Sequence, residues 1–160
     1  MRIDQIDSQE WISAGTITIG AVTTAPTKGT TRPYDNVRYR KINSTTYELE
    51  YNYAQVGTTG AAAGSGQYLF SLPADITWGA GVTQTTSATL ATYVAAVIPC
   101  SAHVVNGGGQ LRTLTVVPYN TTQFRLLAAD LDGDFAPVSS TYNSLVGSGV
   151  GYKVRFYTTV

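Results

Sequence analysis

The sequence predicts an all-β protein, an antiparallel sandwich of short strands. Three observations carry that expectation. Charged residues make up 12% of the chain while Thr, Gly and Tyr are abundant, and β-branched and aromatic side chains suit a pleated, half-buried surface better than a helix. Apolar and polar residues alternate with a period of two in several segments. Turn residues return about every 8–12 positions, the spacing of sandwiches and barrels. No segment alternates helices with strands, which argues against a parallel sheet. The 160 residues suit one domain. We divide them into an N-terminal arm, residues 1–14, and a main domain, residues 15–160.

Thr16-Ile17-Thr18-Ile19 alternates behind Gly15 and is read as the first strand. Residues 23–31, with Pro26 and Gly29, read as a loop. Val37 to Ile42 is a short basic strand. Tyr47, Leu49, Tyr51 and Tyr53 share one face, with Glu48, Glu50 and Asn52 opposite. Residues 57–66 form a small-residue loop, poor in side chains that could pack. Tyr68, Phe70 and Leu72 then share a face, Leu69 and Ser71 take the other, and Pro73 ends the pairing. Both faces of that strand carry apolar residues, so it needs cover on each side.

Residues 80–89 are polar and irregular. Leu90 to Ile98 mixes alanines with β-branched residues and is assigned as a strand because its neighbours are strands. Ala102 to Val105 is extended, and Gly107-Gly108-Gly109 turns. Leu111 to Val117 is a strand stopped by Pro118, Phe124 to Leu127 is another, and residues 130–137 are turn-rich. In the last strand Tyr152, Val154 and Phe156 alternate with Lys153, Arg155 and Tyr157. Strands this short and numerous pair most economically as an antiparallel jelly roll, with loops gathered at its ends.

Net charge is zero, which gives no long-range attraction to nucleic acid or an anionic membrane. Arg38, Arg40 and Lys41 are read as a solvated strand face. Cys100 is the sole cysteine, so no internal disulfide forms, as suits assembly in a reducing cytoplasm. The first seven residues lack the apolar core of a secretory signal, and no apolar run approaches the ~20 residues of a membrane span. No membrane insertion is expected.

Glu48 and Glu50 stand about 7 Å apart by strand rise, near the carboxylate spacing of an inverting glycosidase; the competing reading is an exposed polar face. Asp130, Asp132 and Asp134 alternate around Gly133, an oxygen-rich arrangement with some likeness to a calcium loop. Gly133 comes too early in the loop and Thr141 stands where a closing Glu belongs, so the preferred reading is a turn with exposed acids. Cys100 and His103, three apart on a strand, face opposite ways and read as packing residues. There is no GxSxG elbow and no phosphate loop. No catalytic residue, cofactor or metal is therefore expected. Trp78, just beyond a strand end, either plugs the core or stacks on a sugar ring whose hydroxyls Asp75 accepts.

Four blocks, in order, carry a family resemblance. They are Trp11 with Thr16-Ile17-Thr18; Val37 to Ile42 with Tyr47 to Tyr51; GSGxYLFxLP at 64–73; and Ser101 to Val105 with the later strands through Tyr152 to Tyr157. Together they resemble the trimeric jelly-roll heads at the ends of phage and viral fibres and spikes, similar in shape to complement-head and tumour-necrosis-factor domains. The resemblance implies a homotrimer on the virion, assembled in the host cytoplasm, that binds a host surface glycan or protein receptor. Eleven tyrosines are more than one domain hides easily, and tyrosine suits interfaces. Tyr47, Tyr51, Tyr152 and Phe156 are expected between copies. Trp78, Asp75, Asn106 and Tyr142 are expected on receptor-contacting loops. Two other functions fit the same sequence: a capsid decoration protein without a receptor, and a carbohydrate depolymerase using Glu48 and Glu50 or the Asp130 loop.

Overall fold

A computed structural model describes residues 10–86, 96, 98, 100–105, 109–129, 135–139 and 148–160; for 102–105, 129 and 135 it describes the backbone. The described chain is all-β, with two antiparallel sheets. Numbered in chain order, sheet A runs β1 (Ile12–Ser13), β3 (Tyr34–Lys41), β4 (Thr46–Gln55), β10 (Val150–Thr159), β6 (Cys100–Val105) and the start of β7 (Leu111–Asn120). Sheet B continues from the rest of β7 through β8 (Gln123–Ala129) and β5 (Tyr68–Ser71) to β2 (Ile19–Ala21), with β9 (Phe135–Pro137) also on β8. Strand β7 belongs to both sheets: Leu111 to Thr113 pair with β6, and Leu114 onward pair with β8.

The period of two decides which side chains meet. Leu49, Tyr51 and Tyr53 of β4 and Tyr152, Val154 and Phe156 of β10 all turn inward and are buried. Facing them are Tyr68 and Phe70 of β5, Leu114 and Val116 of β7, and Phe124 and Leu126 of β8. Ring contacts cross between the sheets: Tyr51 to Phe124 at 5.1 Å, Phe124 to Phe156 at 5.2 Å and Phe70 to Tyr152 at 5.5 Å. The sheets therefore pack face to face as a β-sandwich. Edge-on and stacked pairs both occur in this centre, the geometries the ring quadrupole allows. The far side of sheet B is covered as well, with Val117, Leu127 and Ala96 in a second cluster and Leu69 buried. The double-sided cover expected for the aromatic strand is present.

Several expectations need correction. Tyr51, Tyr152 and Phe156, expected between copies, are 0%, 3% and 1% exposed in the core of a single chain. Tyr47 is half-buried beside Tyr39, ring centroids 6.0 Å apart. Sandwich interiors wide enough for stacked rings absorb these tyrosines without a partner chain. Pro118 does not stop β7; it lies opposite Phe124 at a bulge, where a missing N–H is tolerated. The predicted first strand pairs only from Ile19, because the Ile17 N–H goes to the Asp35 carboxylate at 3.1 Å. The two loops at 23–31 and 57–66 are laced together by bridges at Thr24–Ser65 and Thr27–Ala62, so backbone pairing orders a segment poor in side chains. The strand predicted at 90–98 lies outside the described residues except at Ala96 and Ile98, where Ile98 bridges Val116.

Candidate functional site

The inward turn of alternate residues leaves a matching set on the outer face of sheet A. Register places Arg40, Glu48 and Tyr157 in one cross-strand row, and Arg38, Glu50 and Arg155 in the next. Lys41, grouped with Arg38 and Arg40 by sequence, falls on the other face opposite Tyr47. Carboxylates on the middle strand thus lie between cations on both neighbours, an opposite-charge pattern that stabilises a sheet.

Glu48 accepts from Arg40 Nε at 2.6 Å through one oxygen and from Arg155 Nε through the other. Glu50 accepts from Arg38 at 2.8 Å and pairs with Lys153 Nζ at 3.5 Å. Both glutamates are covered, at 0% and 5% exposed, although they sit on the outside of the sheet; the overlying guanidinium groups close them off. Burial works to raise the Glu48 carboxyl, but the bonds from Arg155 and Arg40, with help from Tyr157, overcome it and hold the group below its ordinary value. The same contact pushes Arg155 further toward its charged form.

Trp11 lies over this network. Its ring centroid is 4.6 Å from the Arg38 guanidinium carbon, 5.0 Å from that of Arg40 and 5.5 Å from that of Arg155, within the range of cation–π attraction. Strand β1 holds it there by pairing Ile12 with Tyr39 and Ser13 with Arg38. Four cations (Arg38, Arg40, Lys153, Arg155) surround two carboxylates (Glu48, Glu50). The face therefore carries a local surplus of two positive charges, in a chain whose net charge is zero.

Between β4, β10 and β6 this face dips into an open concavity of about 510 Å³, lined by Glu48, Cys100, Ser101, Arg155 and Tyr157. The Tyr157 side is open, with the residue 53% exposed. Burial pushes the Cys100 thiol up, so it is present as the neutral thiol. A smaller hollow of about 250 Å³ lies toward the other end, against Tyr34, Asn52 and Lys153.

The residues singled out by sequence are placed as follows. Glu48 and Glu50 are ion-paired struts rather than an exposed polar face. A glycosidase general acid needs a raised pKa, and Glu48 is shifted the opposite way. Trp78 is 4% exposed. Its Nε1 donates to the Gln123 carbonyl at 3.1 Å, and its ring stacks on Phe156 at 5.7 Å. It is the core plug, with no face open to a sugar, and Asp75 is exposed. Asn106, Tyr142, Asp130, Asp132 and Asp134 lie outside the described residues. Among the described residues, no group of three or more His, Cys, Asp or Glu side chains could hold a metal ion.

Sequence reasoning missed Trp11, Ser101, Arg155 and Tyr157 as members of one site. The alternation of Lys153, Arg155 and Tyr157 was readable, but their pairing with Glu48 and Glu50 spans about a hundred residues and no local signal announces it. Comparison with protein-family models, curated proteins and solved structures finds no match.

Proposed function

We propose that this chain is the head domain of a viral or phage fibre or spike, a jelly roll that assembles as a homotrimer and attaches the particle to a host surface glycan or protein. The observation that carries the reading is the outer face of sheet A: a rigid, ion-paired platform bearing an exposed tyrosine, a tryptophan plate and an open hollow. Such a surface suits recognition. The Glu48 carboxyl is held below its ordinary value, which suits a strut better than a proton donor.

The strand order supports a jelly roll. The final strand β10 lies between β4 and β6 in one sheet, while β8 lies between β5 and β7 in the other, an interleaving of distant strands typical of Greek-key sandwiches. Ile42 and Val160, 44% and 42% exposed, bracket the β3–β4 turn through backbone bonds to Thr46 and Thr45. They offer an apolar strip for copies of the chain to share, and closed symmetry makes such contacts finite. Three weak sites on one axis then act together through effective concentration.

Light scattering tests the assembly: a molar mass near three chains of 17.0 kDa is expected. Binding of the labelled protein to host cells tests attachment. A trimer that binds no host surface leaves the decoration-protein reading in its place, and a monomer that binds none refutes the proposal.

A further inference from the structure

We infer that the concavity on the outer face of sheet A is a subsite for one acidic sugar residue, a ring bearing a carboxylate or a sulfate. The inference deepens the attachment reading and rests on it. Glu48 uses its two oxygens on the Nε atoms of Arg40 and Arg155. That grip fixes both side chains by their inner nitrogens. The terminal amines of Arg155 make no hydrogen bond among the described residues, and its side chain is 42% exposed. A planar guanidinium edge held this way matches a carboxylate or sulfate with two parallel bonds.

The other lining groups fit the rest of a sugar. Tyr157, in register with Glu48 on the neighbouring strand, supplies a half-open aromatic ring for the apolar face of a pyranose. Ser101, opposite Arg155 on β6 and exposed, supplies a hydroxyl for the ring's own hydroxyls. One plate, one fork and one hydroxyl around about 510 Å³ is a site of small-ligand size. The surplus of positive charge across the face draws in an anion and disfavours a cation. Nucleic acid is a poorer fit, since it needs an extended path of unpaired cations, whereas Arg38 and Lys153 are committed to Glu50.

The test is calorimetric titration of the assembled protein with three defined probes: galacturonate oligosaccharides, sulfated dextran oligosaccharides and neutral dextran oligosaccharides. Inorganic polyphosphate serves as a bare polyanion. We expect at least one acidic sugar to bind, the neutral probe to be silent and polyphosphate to be weaker. The first two probes distinguish carboxylate from sulfate. Tyr157→Ala and Ser101→Ala should each weaken binding, the tyrosine change by roughly tenfold, with an unchanged circular dichroism spectrum. Arg155→Gln should abolish it, but that variant also uncovers Glu48, so the two milder variants decide. Equal binding of polyphosphate, or binding indifferent to both milder variants, overturns the subsite. Host-cell binding by a trimer that takes up none of the acidic sugars also overturns it, while leaving attachment in place. Loss of both host binding and trimer removes the attachment reading itself.

Discussion

Replacing Glu48 by Gln takes away the charge that two guanidinium groups share. The side chain has 0% exposure, and its two bonds to Arg40 and Arg155 are charge-assisted. Fully buried bonds of that kind contribute about 1.5–3 kcal/mol each, whereas exposed ion pairs contribute about 0.2–1 kcal/mol. The arginine side chains are 32% and 42% exposed, so solvent screens their half of each pair and the lower range weighs heavily. The substitution also leaves two adjacent guanidinium groups without a counter-charge, and turns an amide N–H₂ toward donors. Together these give a loss of about 2 kcal/mol at neutral pH, well inside a domain stability of about 5–15 kcal/mol. Glu50→Gln should cost less, about 1 kcal/mol, since Arg38 and Lys153 are 45% and 59% exposed.

Urea unfolding as a function of pH supplies the decisive check. The Glu48 carboxyl titrates below its ordinary value in the folded chain. A depressed folded pKa means that its stabilisation is complete above the unfolded value and is lost as pH falls through the folded value. The gap between wild type and Glu48→Gln should therefore be flat from about pH 8 to about pH 5 and close below that. A gap that persists unchanged in acid would refute the ion-paired strut, as would a Gln variant as stable as wild type at neutral pH.

Three further outcomes are expected. Phe124→Ala, which removes a ring touching Tyr51, Phe70 and Phe156, should lower the unfolding free energy by about 3–5 kcal/mol, and Phe124→Leu by much less; equal small effects would show that the sheets do not meet there. In Trp11→Phe the remaining indole, Trp78, should emit at short wavelength and resist acrylamide, whereas in Trp78→Phe the half-buried Trp11 should be readily quenched. Gly64→Ala should cost more than Gly149→Ala in a thermal melt: both have positive φ, at 64° and 70°, but a Cβ at Gly64 collides with the Thr24 carbonyl while one at Gly149 meets nothing within 4 Å among the described residues. The Gly149 change should cost about 1 kcal/mol, the strain of φ alone.

Much of the sandwich was legible before any coordinates. Tyr47 to Tyr53 and Tyr152 to Tyr157 alternate cleanly as read, though Tyr51, Tyr152 and Phe156, expected between copies, turn into the core of one chain. The double-apolar strand at Tyr68 to Ser71 is covered on both sides. Where the reading missed, a nonlocal contact had overridden a local cue. Pro118 reads as a stop, yet a bulge carries β7 past it. Ile17 belongs by pattern to a strand, yet its N–H is taken by Asp35, eighteen residues on. For Trp78 the sequence left a core plug and a sugar-stacking plate both open, and the bond from its indole N–H to the Gln123 carbonyl goes with the first.

Side-chain alternation is encoded by neighbours in the chain, because successive Cβ atoms on a strand point to opposite faces. Composition and the period of two were therefore enough to make this an antiparallel β protein whose strands gather their aromatic residues on one face. Which outward residues become neighbours is another matter. It depends on register between strands joined by long connections, and no residue carries the identity of its cross-strand partner. The row of Arg40, Glu48 and Tyr157, the bond from Arg155 and the lid of Trp11 exist only once β1, β3, β4 and β10 have aligned. That alignment turned two glutamates that looked solvent-facing into covered, ion-paired side chains, and assembled an electropositive face on a chain with no net charge.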